Sequence, residues 1–253
     1  MTPGLKPVLR NAQTFLPFIR TAKFDTYNFL TRSFGLRLDP EFRFLERLPP
    51  ARLAIDVGGN WGQSIHALKR TARAGKIISF EPNLVLADRL ASKFASDASV
   101  QIENCGLAAE VGQFSLFVPR YRNFIYDGLA SLDEAGARGW LNSKSVAGFD
   151  PALLHVDEQK VEVRRLDDFG LSPDVVKIDV EGREDAVLEG GLETFRRAQP
   201  VAIVENPSTA FVSQLALFGL KPYSYDGKRL HDDWRRQPNT LFLSDDHRAQ
   251  AGL

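Results

Sequence analysis

The sequence predicts a doubly wound α/β fold, a mostly parallel sheet with helices on both faces. Three observations predict it. From residue 50 onward short apolar runs alternate with stretches of helical period, most of those runs are apolar throughout, and the first opens into a glycine-rich turn. A strand apolar on both faces belongs inside a covered parallel sheet. Length and composition agree: 253 residues with 43% hydrophobic and 25% charged describe one large globular domain, or one domain with an appendage. A disordered, fibrous or repeat-built chain is excluded.

The elements follow in order. Strands are expected over 53–57, 76–80, 100–104, 175–180 and 201–205, with helices over 62–73, 83–94, 184–197 and 209–218 between them. In the third of these helices Val187, Leu188, Leu192 and Phe195 fall at helical spacing. Residues 221–225, ahead of Asp226-Gly227, and 240–243 read as a closing antiparallel pair. The stretch 112–165 breaks the alternation. Within it 114–118 and 161–165 read as strands, and the rest, rich in Gly, Ser and Asp, reads as a functional cover or a mobile loop.

Charge and cysteine usage limit the partners. Lys plus Arg and Asp plus Glu number 32 each, so no global field recruits nucleic acid or an anionic membrane. The single cysteine, Cys105, cannot form an internal disulfide, and four scattered histidines give no zinc spacing, which fits a reducing cytoplasm. The longest charge-free stretch, 206–220, holds Pro207, Ser208 and Thr209 and is shorter than the roughly 20 apolar residues that span a bilayer. No signal peptide is read at the amino terminus. Residues 1–38 nevertheless carry six basic residues against the single acid Asp25, interleaved with Phe15, Phe18, Phe24, Tyr27, Phe29 and Phe34. A helical appendage with a solvated basic face is expected there. A peripheral contact with the inner face of a membrane, a homo-oligomer contact and a lid over an acidic substrate stay open.

The chemistry begins at Ala54-Ile55-Asp56-Val57-Gly58-Gly59-Asn60-Trp61-Gly62-Gln63-Ser64. A strand running through a glycine turn into a helix brings a ligand close to free backbone N–H groups. A dinucleotide fingerprint would need glycines where Asn60 and Gln63 stand, so pyrophosphate spacing fails. Asp56 ahead of the turn suits an ammonium or sulfonium group instead. The second strand ends in Phe80-Glu81-Pro82, which places Glu81 where an acid accepts from both hydroxyls of a ribose. Together these features point to an adenosine ligand.

Asp56-Val57-Gly58-Gly59-Asn60-Trp61-Gly62, Phe80-Glu81-Pro82, Asn104-Cys105-Gly106-Leu107-Ala108, Leu166-Asp167-Asp168, the block Val176-Lys177-Ile178-Asp179-Val180-Glu181-Gly182-Arg183-Glu184-Asp185-Ala186-Val187-Leu188-Glu189-Gly190 and Asn239-Thr240-Leu241-Phe242-Leu243 together resemble the FkbM-type S-adenosylmethionine-dependent methyltransferases. The resemblance covers about 52–243, and Lys-Ile-Asp-Val-Glu-Gly is its most specific part. It implies a seven-stranded class I methyltransferase sheet of Rossmann-like winding, and methyl transfer, most often to a hydroxyl of a sugar or polyketide-like product. Gly59 stands where the family usually has Ala, and Trp61 where it has an aliphatic residue, so the wall beside the methionine tail is expected to differ.

Carried over by position, Asp56, Gly58, Gly59, Asn60, Gly62 and Ser64 resemble the methionine side of a cofactor pocket, and Glu81 the ribose clamp. Asn104, Cys105 and Gly106 resemble the adenine border, with a buried inert thiol the plainer reading of Cys105. In the fourth strand Lys177, Asp179 and Glu181 share one face of an extended chain, and buried charges rarely stay unpaired. A structural ion pair and a place beside the sulfonium both remain open for them. The base that takes the acceptor's proton is sought among Asp179, Glu181, Lys177 and Glu205, without a choice. Asp179, Glu205 and Asn206 are similar to the oxygen-rich metal triad of cation-dependent O-methyltransferases, but Asn206 also suits a helix cap, and no metal is favoured. On the acceptor side stand Tyr126, Ser131, Trp140 and His155, in a segment whose aromatics and arginines suit a glycan or phosphorylated group.

The reading is therefore an S-adenosylmethionine-dependent O-methyltransferase acting on a small-molecule or glycan acceptor. A catalytically inactive nucleoside-binding module and an NAD-dependent oxidoreductase are the alternatives. The expected organisation is an appendage over 1–50, a methyltransferase domain over 51–245 with a cover at about 119–160, and a tail over 246–253.

Overall fold

The structure is a computed structural model that describes residues 17–36, 38–146 and 148–253. The basic residues and aromatics expected to act within 1–16 lie outside the described residues. The chain divides into two compact units, the smaller holding 17–27 and 113–161 and the larger 28–112 and 162–253. The strands are β1 (Leu53–Val57), β2 (Lys76–Phe80), β3 (Val100–Glu103), β4 (Gly106–Leu107), β5 (Gly112–Tyr121), β6 (Phe124–Ile125), β7 (Leu154–Arg164), β8 (Val175–Ile178), β9 (Val201–Glu205), β10 (Lys221–Tyr225), β11 (Leu230–His231) and β12 (Asn239–Leu243).

The larger unit is built on one sheet of order β11-β10-β12-β9-β8-β1-β2-β3. The neighbours β9, β8, β1, β2 and β3 run parallel, and β12 lies antiparallel to both β9 and β10. This is the doubly wound order, with an antiparallel strand slipped in beside the fifth parallel one. The expected seven strands become eight. The addition, β11, forms because Gly227 (φ 91°) turns the chain back and Asp226 accepts from the backbone N–H groups of Lys228 and Arg229, both at 2.8 Å.

The continuous apolar runs have the predicted cause. Ile55, Val57, Val176, Ile178, Ala202 and Val204 are buried on one sheet face, and Ala54, Ile77, Val175, Val201 and Ile203 on the other. Each large side chain so buried contributes about 1.5–3 kcal/mol. The helices are α1 (Pro17–Phe34), α2 (Pro40–Phe44), α3 (Gln63–Thr71), α4 (Leu84–Lys93), α5 (Glu134–Gly139), α6 (Glu184–Glu189), α7 (Leu192–Ala198), α8 (Thr209–Ala216) and α9 (Asp245–Gln250). No helix among the described residues is long and apolar enough to cross a membrane.

Four expectations about the elements are corrected. The helix expected over 184–197 is two, α6 and α7. They break at Gly190, where a Cβ would meet the carbonyl oxygen of Ala108, and α7 restarts under Asp167, which accepts from Glu193 N and Thr194 N. The strand expected to reach 180 stops at Ile178, because Glu181 (φ 52°) and Gly182 (φ 90°) fold the chain over Glu184, whose carboxylate accepts from Val180 N and Gly182 N. In 112–165 the strands expected at 114–118 and 161–165 fall in longer ones, β5 and β7, and the rest is more than a cover or loop: β5, β6 and most of β7 form a small sheet beside a cluster of Tyr121, Phe124, Tyr126, Leu141 and Val146. The tail is the helix α9, closed by a capping box between Ser244 and His247.

Residues 28–50 belong to the larger unit, where Phe42, Phe44, Leu45 and Leu48 join its core. Glu41 lies among them only 1% exposed, and neither carboxylate oxygen has a hydrogen-bond partner. Burial pushes its carboxyl up to about 7, with Asp39 adding to the effect. The fold therefore favours the protonated acid. Its contribution to stability is fully present below its ordinary value of 4.5, falls as the pH rises toward 7, and is lost above. Relative to wild type, Glu41→Gln should accordingly gain roughly 3 kcal/mol between about pH 4 and about pH 8 in chemical denaturation. A difference that does not change with pH would refute the burial argument.

Candidate functional site

The period of two that gives the strands their apolar faces also gathers the site. At the carboxyl ends of the parallel strands, the face bearing Ala54, Val175 and Ile203 turns polar. Asp56 stands opposite Ser79 on one side and Lys177 on the other. One step outward, Asp179 follows the end of β8, Glu205 ends the neighbouring β9, and Asn239 stands opposite Glu205. Asp56 is 0% exposed; its Oδ2 accepts from Ser79 Oγ at 2.8 Å, and its Oδ1 has no partner.

Above this row runs the glycine turn. Gly58 (φ 85°) is glycine for two reasons, since its backbone is left-handed and a Cβ would meet the carbonyl oxygen of Asp179. Gly59 follows it and Gly62 opens α3, which carries the buried Ser64. Asn60 is left-handed without being glycine (φ 46°), and its Oδ1 is a buried acceptor with no partner. Trp61, the departure from the family pattern, is buried against the guanidinium of Arg89 at 3.8 Å, and its carbonyl accepts from Asn28 Nδ2 at 3.0 Å. Glu81 accepts from Asn60 N at 2.8 Å and from Asn83 N at 2.9 Å. One oxygen thus braces the glycine turn and the other the start of α4.

The charged centre is Lys177, whose side chain is 9% exposed. Its Nζ lies 3.1 Å from Asp179, itself 37% exposed, and 3.5 Å from the carbonyl oxygen of Gly58. Burial pulls the ammonium down, but Asp179, Asp56 and Glu205 outweigh it and leave it above its ordinary value. Burial likewise pushes Asp179 up, and Lys177 overcomes this and holds it below the usual carboxylate range. Glu205 is pushed up to about 8, first by the hydrogen bond it shares with Asp179 and then by burial. The two carboxyls therefore share one proton at neutral pH as a pair. Glu181 is raised by burial, then by Asp179 and Glu184. Left-handed residues follow three of the parallel strands, at Asn60, Glu181 and Asn206, a local strain that collects at functional sites.

One member of this centre is not visible in the sequence. Asp39 occupies the N-cap position of α2, yet its side chain makes no cap hydrogen bond, forgoing about 1 kcal/mol of the usual capping contribution. It reaches Asn239 instead, whose Nδ2 donates to it at 3.4 Å. Although Asp39 keeps surface open to solvent, burial around the carboxyl raises it, Lys177 and Asn239 oppose this, and Asp179 adds to it.

The other expected residues stand as follows. Asn104 donates from Nδ2 to the carbonyl of Glu81 at 2.9 Å, and Gly106 lies in β4. Cys105 is buried in the apolar core and its thiol is pushed up to about 12 by burial, so it is unreactive. Asn206 does not cap the following helix: Ser208 does, accepting from Phe211 N. Among the described residues no group of three or more His, Cys, Asp or Glu side chains is arranged to hold a metal. Tyr126, Ser131, Trp140 and His155 lie in the smaller unit. There Tyr126 packs edge-on to Phe124 at 4.7 Å, Ser131 bridges to Phe117, and Trp140 and His155 are exposed.

A sheet of this strand order, with its acids and glycine turn at the carboxyl edge, is that of a class I methyltransferase. The sequence pattern of the family described as the methyltransferase FkbM domain matches residues 54–236, and the chain belongs to that family. It is 30% identical over 173 residues to the methyltransferase sdnD of Sordaria araneosa, covering 58% of this chain and 62% of that one. It is also 30% identical over 167 residues to the AMB antimetabolite synthetase AmbE of Pseudomonas aeruginosa, 56% of this chain and 8% of that protein. The chain thus spans less than two thirds of these relatives' own lengths. Among solved structures it is similar to the methyltransferase FkbM from Methylobacillus flagellatus KT (TM-score 0.46, 14% identity, 85% of this chain and 47% of that one). It is also similar to a methyltransferase from Pyrococcus furiosus (TM-score 0.40, 12% identity, 88% and 97%).

Proposed function

We propose that the protein is an S-adenosylmethionine-dependent O-methyltransferase that alkylates a hydroxyl of a sugar, glycan or natural-product acceptor. The observation that carries this reading is the placement of Asp179 and Glu205 at adjacent strand ends, beside Lys177 and the glycine turn. S-adenosylmethionine, when bound, supplies an already activated methyl group. The chain's own residues are then left with binding, alignment and removal of a proton.

The residues fit that donor. The unpartnered oxygens of Asp56 and Asn60 are acceptors buried at the turn, which suits a ligand bearing an ammonium group and excludes a phosphate. Glu81, a carboxylate at the end of β2 beside the glycine turn, suits a pair of ribose hydroxyls. Asp179 and Glu205 act together as the proton acceptor, and Lys177 keeps Asp179 ionised and in place. A divalent cation on Asp179, Glu205 and Asn206 would have to sit against the Lys177 ammonium and displace the shared proton, so the reading proceeds without one.

Calorimetry with S-adenosylmethionine tests this. Wild type should bind the donor, and Glu81→Ala should weaken binding at least tenfold, the loss of about 1.5–3 kcal/mol expected of hydrogen bonds to a charged group. Labelled donor incubated with cell extract should then mark the acceptor. A wild type that binds no donor would defeat the proposal.

A further inference from the structure

Resting on that reading, we propose that Asp39, held by Asn239, is a third carboxylate of the acceptor side, binding a hydrogen-bond donor of the acceptor beside the group that is methylated. Asp39 lies outside 54–236, the stretch matched by the family, and outside the motifs that resemble it, so this carboxylate is supplied by the chain's amino-terminal flank.

The argument starts from a local rule that is broken. An aspartate at an N-cap followed by proline normally turns its carboxylate onto the helix's free N–H groups. Asp39 has that position, and Pro40 follows it, yet the side chain leaves the helix end and meets Asn239. Asn239 is fixed in turn, because it lies in β12 in register with Glu205. The Asp39 carboxylate is thereby set over the outer row of the sheet face, close enough to Lys177 and Asp179 to feel both charges.

It is not consumed there. Lys177 is already paired with Asp179 at 3.1 Å, and Asn239 gives Asp39 a single long hydrogen bond at 3.4 Å. A carboxylate can accept about four. Asp39 also keeps solvent-facing surface, whereas Asp56, on the same face, is sealed and carries an oxygen with no partner. The row thus has a buried acceptor at its inner end and an open one at its outer end, with the proton-sharing pair between them. A hydroxyl or ammonium group of the acceptor is the chemistry that an open carboxylate in that position recognises.

The test uses the full chain as wild type, Asp39→Asn, Asp39→Ala and Asn239→Ala. Donor binding is read by dialysis with labelled S-adenosylmethionine, and acceptor dependence by the dilution of cell extract at which label transfer is half-maximal. Both Asp39 variants should bind donor within about twofold of wild type, and the extract required should rise at least tenfold for Asp39→Ala, less for Asp39→Asn, which keeps an acceptor oxygen. Unchanged extract dependence in both variants, or lost donor binding in either, would overturn the assignment. Carboxyl-carbon NMR separates this from failure of the wider reading. Removing a like charge should move the Asp179 titration downward in Asp39→Asn whether or not the wild type binds donor. An Asp179 resonance that titrates as before would overturn the placement of Asp39 even in an active enzyme.

Discussion

Replacing Lys177 with methionine should destabilise the fold by about 3 kcal/mol, the lower end of what removing one partner of a buried ion pair costs. Methionine keeps most of the stem's volume, so little of this would be a cavity effect. The loss is electrostatic. Asp56, 0% exposed, loses the ammonium opposite it in the neighbouring strand, and Asp179 loses its partner at 3.1 Å. Because Asp179 is 37% exposed, water makes up part of its loss, which places the effect at the low end of the range. In a domain of this size that is a fall in Tm of roughly 6–12 °C. The sign with pH follows from Asp179, which Lys177 holds below its unfolded value near 3.8. That contribution is complete above about pH 4 and disappears as the pH falls through the folded value, so the penalty should shrink in acid. Chemical denaturation at neutral and acid pH measures both. A penalty under about 1 kcal/mol would mean that the ammonium does not hold these carboxylates together.

The sheet was legible because burial on both faces leaves a plain trace: Ile55, Val57, Val176 and Ile178 give uninterrupted apolar runs. The charges at 177 and 179 stand out against such a run and the period of two puts them on one face, but Glu181 lies in the left-handed turn beyond the strand's end and no longer follows that period. What stayed hidden has physical reasons too. Strand β7 is half solvent-facing, so its apolar residues are diluted by Asp157, Glu158 and Lys160 and no run forms. Glu184 reads as an acid matched to a helix dipole, while its actual partners are the two N–H groups of a turn that exists only once the strand has ended. Asp39 carries no motif of its own, and its turning from the helix end to Asn239 is a three-dimensional fact. The proton shared by Asp179 and Glu205 depends on register between strands more than twenty residues apart, which no local pattern encodes.

That shared proton sets the pH dependence expected of the transfer. At neutral pH the pair is a monoanion, with its negative charge drawn toward Lys177. Taking the acceptor's proton in that state means protonating Asp179, which Lys177 opposes. As the pH rises through about 8 the shared proton leaves, and the pair becomes the stronger proton acceptor. The turnover number should therefore climb through about pH 8 and then level, a macroscopic property of the pair rather than of either residue. Glu205→Gln removes the second carboxyl and should flatten the climb, leaving a slow reaction on Asp179 alone. Asp179→Asn keeps the shape of the side chain but removes the ionised member, and should lower turnover by about 10²–10⁴-fold with donor affinity unchanged within about twofold. Label-transfer rates across the pH range, with donor affinities beside them, decide the matter. A Glu205→Gln enzyme that climbs as wild type does would take the proton away from this pair, and a fully active Asp179→Asn enzyme would place the base elsewhere.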